Sequence, residues 1–85
     1  MNQAINFPDR EAWDEELNAI CFPAIVNGMG LTCAISAEAL HQRFGKGEAM
    51  ALFMTYRWDL EEEAEIAILN DDVNAQGWVW LPSAR

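Results

Sequence analysis

Apolar positions change their period along the chain. Ala19 to Val26 and Leu31 to Ser36 are continuous runs rich in Ile, Val, Phe and Thr, the composition of strands. Between them lies Asn27-Gly28, which supplies the positive φ angles of a tight turn, so the two runs predict a β-hairpin. Its loop is two residues, or four if it extends through Gly30. Pro23 falls inside the first run and marks an edge or a bulge there, because proline cannot donate to a ladder. Gln3 to Phe7 is a shorter strand, stopped by Pro8. Asp9 to Glu16 then reads as an acidic loop or a single helical turn anchored by Trp13.

After Ser36 the period lengthens to that of a helix. Ser36 is a good N-cap for a helix over Ala37 to Phe44, with Glu38 in the favourable first turn and Gly45 as the stop. A longer helix is predicted from about Glu48 to about Leu69. Met50, Phe53, Arg57, Leu60, Ala64, Ala67 and Ile68 fall on one of its faces, while Asp59, Glu62, Glu63 and Glu65 lie mainly off that stripe. Gly77 to Leu81 is a last strand, with Trp78 and Trp80 on one side and Val79 and Leu81 on the other. The elements describe an α+β fold: a small two-layer domain with a mostly antiparallel four-stranded sheet, ordered β-β-β-α-α-β, and two helices on one face.

Length and charge narrow the function classes. Eighty-five residues make one domain with a thin core. Hydrophobic residues at 52% and charged residues at 22% describe a folded globule. Asp and Glu number 14 against 5 Lys and Arg, a net charge of −9. Phosphate backbones and anionic lipid repel such a chain, which argues against direct nucleic-acid or membrane binding. Ala19 to Ala37 carries no charge, yet Pro23, Asn27, Gly28 and Gly30 would break a membrane helix there. No basic segment precedes an apolar run at the start, and the expected location is the cytoplasm.

Several strings carry a resemblance. Phe7-Pro8-Asp9-Arg10, Cys21-Phe22-Pro23-Ala24, Asn27-Gly28-Met29 and Cys33-Ala34-Ile35-Ser36 are similar to the YrdB-like family of small bacterial proteins. So are Arg57-Trp58-Asp59-Leu60-Glu61-Glu62-Glu63-Ala64-Glu65 and Gly77-Trp78-Val79-Trp80-Leu81-Pro82. The resemblance implies an α+β fold and a soluble bacterial protein, and it brings no catalytic residues.

The residues that could carry chemistry each have a plainer reading. Cys21 and Cys33 are core thiols, and in a hairpin with an even loop they point to opposite faces, so they cannot bridge. His41 has Glu38 three residues before it, which predicts a surface ion pair. The carboxylates Asp59, Glu61, Glu62, Glu63 and Glu65 lie on a helix, which offers only open pairs and not a cage for a metal ion. Gly45-Lys46-Gly47 lacks the spacing of a phosphate loop. No metal and no cofactor are therefore expected. Arg57 stands on the apolar stripe with Glu61 four residues on, so it lays its stem on apolar surface and pairs locally, or it anchors an anion.

Trp78 and Trp80 raise the remaining question. Two helices cover one face of the sheet, and the other either meets a partner or lies under the Trp13 loop. The leading expectation is a non-enzymatic interaction module, self-associating or bound to another protein. Its candidate contacts are Trp78, Trp80, Arg57, Asp59, Glu62 and Glu63. A regulator that mimics nucleic acid toward a basic protein and a small anion-binding protein or enzyme built on Arg57 are the alternatives.

Overall fold

The computed structural model describes residues 4–83. Five strands, β1 (Ile5–Asn6), β2 (Ala12–Asp14), β3 (Ala19–Val26), β4 (Met29–Ser36) and β5 (Trp78–Trp80), form one mixed sheet. Three helices, α1 (Ala37–Phe44), α2 (Ala49–Thr55) and α3 (Arg57–Leu69), lie between β4 and β5 in the chain. The α+β class holds, with one strand and one helix more than expected. Of the first expected strand, Gln3 lies outside the described residues.

The hairpin closes through the two-residue loop Asn27-Gly28, both at positive φ, with Val26 opposite Met29. The Asn27 side chain accepts from the Ala4 N–H at 3.2 Å, and the Asn27 N–H donates to the Ala4 carbonyl at 2.9 Å, which docks the start of β1 on the turn. Counting pairs back from Val26–Met29 turns the Pro23 nitrogen away from β4, toward the outer edge of β3. That edge is covered in two pieces: β1 pairs with Ile25 and Val26, and β2 pairs with Ala19 to Cys21. At Pro23, where no N–H is available, the chain leaves the edge, and this excursion carries Pro8 to Glu11 away from the sheet. The expected acidic loop is thus an excursion followed by a strand, because the open groups of β3 outweigh the poor strand propensity of Asp and Glu.

Ser36 caps α1 as expected, accepting from the Ala39 N–H at 3.0 Å, and Gly45 ends it at φ 91°. The single long helix is corrected to two. Tyr56 sits at φ −108°, ψ 18°, yet its N–H still donates to Leu52 and its carbonyl still accepts from Leu60, so the rod bends without ending. One cause is local: the Thr55 hydroxyl donates back to the Ala51 carbonyl at 2.9 Å, a bond that bends helices. Another is tertiary, since the Tyr56 ring stacks on Phe44 of α1 with centroids 3.9 Å apart.

β5 joins β4 in parallel, with Trp78, Val79 and Trp80 beside Thr32, Cys33 and Ala34. A parallel neighbour needs a crossover, and the three helices are that crossover. They bury Leu40, Phe53, Leu60, Ala64 and Ile68 against Ile20, Phe22, Ala24, Cys33, Ile35, Val79 and Leu81. By register and alternation those strand residues share one face of the sheet. Phe22 packs on Phe53 at 5.0 Å near the centre of the layer.

Candidate interaction surfaces

The opposite face of the sheet carries Cys21, Pro23 and Ile25 from β3, Thr32 and Ala34 from β4, and Trp78 and Trp80 from β5. Among the described residues no helix lies over it. Trp78 and Trp80 stack on each other, centroids 5.8 Å apart and rings 17° from parallel, and Trp80 remains 45% exposed. Val79 and Leu81 point the other way and are buried, as alternation requires. Trp13 does not cover the pair. It pairs with Ile20 and so belongs to the helix-side face, where it borders a cleft of about 530 Å³ with His41 and Met50. Leu17, Asn74 and Gln76 line a depression of about 210 Å³ beside the two indoles. The Asp14 carboxylate on this face accepts from the Leu17 N–H at 3.0 Å, fixing the turn that carries Leu17.

Arg57 is the centre of an ion-pair knot. Its Nε donates to Glu61 at 2.7 Å, Nη1 donates to Glu11, and Nη2 meets Asp9 at 2.9 Å and donates to the Pro8 carbonyl at 3.3 Å. The excursion forced at Pro23 delivers Pro8, Asp9 and Glu11 to the start of α3. The guanidinium lies 5.8 Å from the Phe53 ring centre, its stem on the apolar stripe as expected. Burial disfavours its charge, but hydrogen bonds to Glu61 and Glu11 and their charges outweigh this and hold its pKa above the ordinary value. The chain's own carboxylates therefore occupy the fork, and the anion-anchor alternative loses its residue.

The acidic run divides by position. Glu63 takes Arg43 in a bidentate pair, at 2.9 and 2.6 Å, and Arg43 also donates to the Pro82 carbonyl at 3.1 Å. Expected on a solvated face, Glu63 instead fastens α3 to α1 and to the end of β5. Asp59 and Glu62 are exposed, as expected. His41 does not serve Glu38: its Nε2 meets the Gly47 carbonyl at 2.7 Å and braces the α1–α2 turn. The thiols sit on opposite faces, with Cys33 buried and Cys21 half-buried. Burial first, and then the charge of Glu61, push Cys33 up to about 12. Burial and Asp14 raise Cys21 as well.

A further group was not anticipated. Trp58 is 85% exposed, and Ile66 and Leu69 are about half exposed, on the outer face of α3. On a helical wheel they stand opposite Leu60, Ala64 and Ile68, which is the signal the sequence held for them.

A small α+β domain results, with a mixed sheet whose one face is packed under the helices and whose other face carries none among the described residues. The chain belongs to the DUF1488 family, described as a protein of unknown function, whose pattern matches residues 5–81. It is 59% identical over 86 residues to the uncharacterized protein YrdB of Escherichia coli (strain K12), covering 96% of this chain and all of that one. YrdB of Shigella flexneri is 58% identical over the same span. A crystal structure of a DUF1488 protein of unknown function from Shewanella loihica superposes with a TM-score of 0.90 at 33% identity, covering 96% of both chains.

Proposed function

We propose that this chain is a non-enzymatic protein-interaction module that docks through the helix-free face of its sheet. The observation that carries this reading is the stacked Trp78–Trp80 pair, Trp80 45% exposed and Trp78 half-buried, on a sheet face over which no helix lies among the described residues. An aromatic side chain buries roughly 150–250 Å² from full exposure. Trp80 at 45% and the half-buried Trp78 contribute only part of that each, and the rest of the about 800 Å² a stable interface needs per partner comes from the surrounding face. Two such anchors, extended by Cys21, Pro23, Ile25 and Thr32, supply its centre. Asp14 is the only charged residue the strands place on this face, so a docked surface need not bury the chain's negative charge. The two free thiols fit a reducing cytoplasmic setting.

The test compares wild type with Trp80→Ala, by sedimentation over a concentration series and by affinity capture from a bacterial extract. Wild type should form a dimer or retain one defined protein. The variant should lose about tenfold or more in that association, with the Tm lowered by only ~5 °C. A wild type that stays monomeric at ~1 mM and retains nothing refutes the proposal, as does an association that Trp80→Ala leaves intact.

A further inference from the structure

The outer face of α3 is built unlike the solvent face of an ordinary helix. Trp58, Ile66 and Leu69 stand on it at i, i+8 and i+11, and Glu62 and Glu65 lie between them. An indole 85% exposed leaves most of its apolar area in water. Beside it runs a groove of about 290 Å³, lined by Ile5 and Phe7 from the N-terminal strand region and by Trp58, Glu61, Glu62 and Glu65. Its walls are thus an aromatic ring and aliphatic carbon on one side and carboxylates on the other.

The charges on this face have one sign. Arg57, the sole cation of α3, is turned into the knot with Glu11 and Glu61. The last turn of α3 has no basic residue, so the negative end of its dipole is uncompensated there, and Asp71 and Asp72 follow the C-cap Asn70. A second copy of this chain would set Glu62 and Glu65 against their own like, so self-docking on this face is opposed. Anionic lipid and nucleic acid are opposed for the same reason. A cation presented on an apolar stem meets no such objection. It can lie over the Trp58 ring and pair with Glu62 or Glu65 at once.

We propose that the outer face of α3 docks a basic amphipathic helix from a partner protein, with Trp58 and the carboxylates of Glu62 and Glu65 receiving its Lys or Arg heads and Ile66 and Leu69 its apolar stripe. From Trp58 to Leu69 the face runs about 16 Å, or three turns, which matches the apolar stripe of a short helix. This surface is distinct from the Trp78–Trp80 face, and each proposal stands or falls alone.

The test pans a display library of helix-forming peptides against the full chain, with counter-selection on Glu62→Lys/Glu65→Lys. Glu62 is exposed and Glu65 half-buried, and circular dichroism confirms that each variant is folded. Recovered peptides should carry Lys or Arg beside a stripe of Leu, Ile, Met or Phe. Their Kd should rise by about tenfold or more in Trp58→Ala and in the double variant, a change worth ~1.4 kcal/mol. Trp80→Ala should leave it within about twofold. Recovery of no binder, or of neutral or acidic peptides, overturns the proposal. So do basic peptides whose Kd shifts by less than about tenfold in either α3 variant, since these bind by general charge attraction, and so does a Kd that Trp80→Ala raises as much.

Discussion

Replacing Arg57 with Met tests how the N-terminal segment is held. The Arg57 side chain is 11% exposed, and the two carboxylates on its Nε and Nη1 are nearly as covered, Glu11 at 17% and Glu61 at 19%. Asp9, on Nη2, is 89% exposed. Methionine keeps the stem's contact with Phe53 but strands Glu11 and Glu61 side by side, largely out of water. Removing one partner from such a buried set costs about 3–5 kcal/mol, against a total of roughly 4–13 kcal/mol for a domain of this length. Urea unfolding followed by far-UV circular dichroism should therefore show a large fall in midpoint, with a Tm lower by roughly 12–40 °C. Adding Glu11→Gln and Glu61→Gln to Arg57→Met removes the stranded charges and should restore about half of the loss. Asp9→Asn alone should cost less than about 1 kcal/mol, because water already screens that pair. Hydrogen exchange should localise the effect, with Glu11 to Asp14 losing protection before the hairpin. A loss below about 1 kcal/mol for Arg57→Met, or an Asp9→Asn effect as large as that of Glu11→Gln, would refute the reasoning.

Three further outcomes concern the two thiols and the cap of α1. Cys33 stays protonated in the fold up to about 12 against an ordinary 9.0, so above that ordinary value the unfolded chain holds fewer protons than the folded one. The stability from this group is complete below the ordinary value and falls as pH rises toward about 12, by up to ~1.4 kcal/mol per unit. Urea midpoints taken from about pH 8 to 10.5 should drop more steeply for wild type than for Cys33→Ala, and equal slopes would count against it. At neutral pH a thiol reagent should label Cys21 faster than Cys33. Ser36→Ala removes the acceptor for the Ala39 N–H and should cost about 1 kcal/mol, or ~4–8 °C in Tm, while Ser36→Asp should keep most of it.

Much of this molecule was legible because its signals are local. The Asn27-Gly28 turn, the Ser36 cap, the end of α1 at Gly45 and the alternation of Trp78, Val79, Trp80 and Leu81 each depend on residues within a turn or a strand of one another. Such short-range chemistry acts before any tertiary contact exists. Pro23 likewise announced a fault in the edge of its strand. What it could not announce was the consequence, that the chain would leave the sheet there and bring Glu11 to Arg57 across 46 positions. That pairing depends on where two distant segments are carried by the sheet, and periodicity does not record it. The bend at Tyr56, the pairing of Glu63 with Arg43 and the choice of β2 as a strand were settled in the same way, by a neighbour that only the assembled layers supply. Trp58 shows the division most plainly: the helical wheel set it opposite the buried stripe, but only the absence of a covering layer leaves it in water. Sequence sets which face of each element is apolar, whereas exposure follows from how many elements there are to cover those faces.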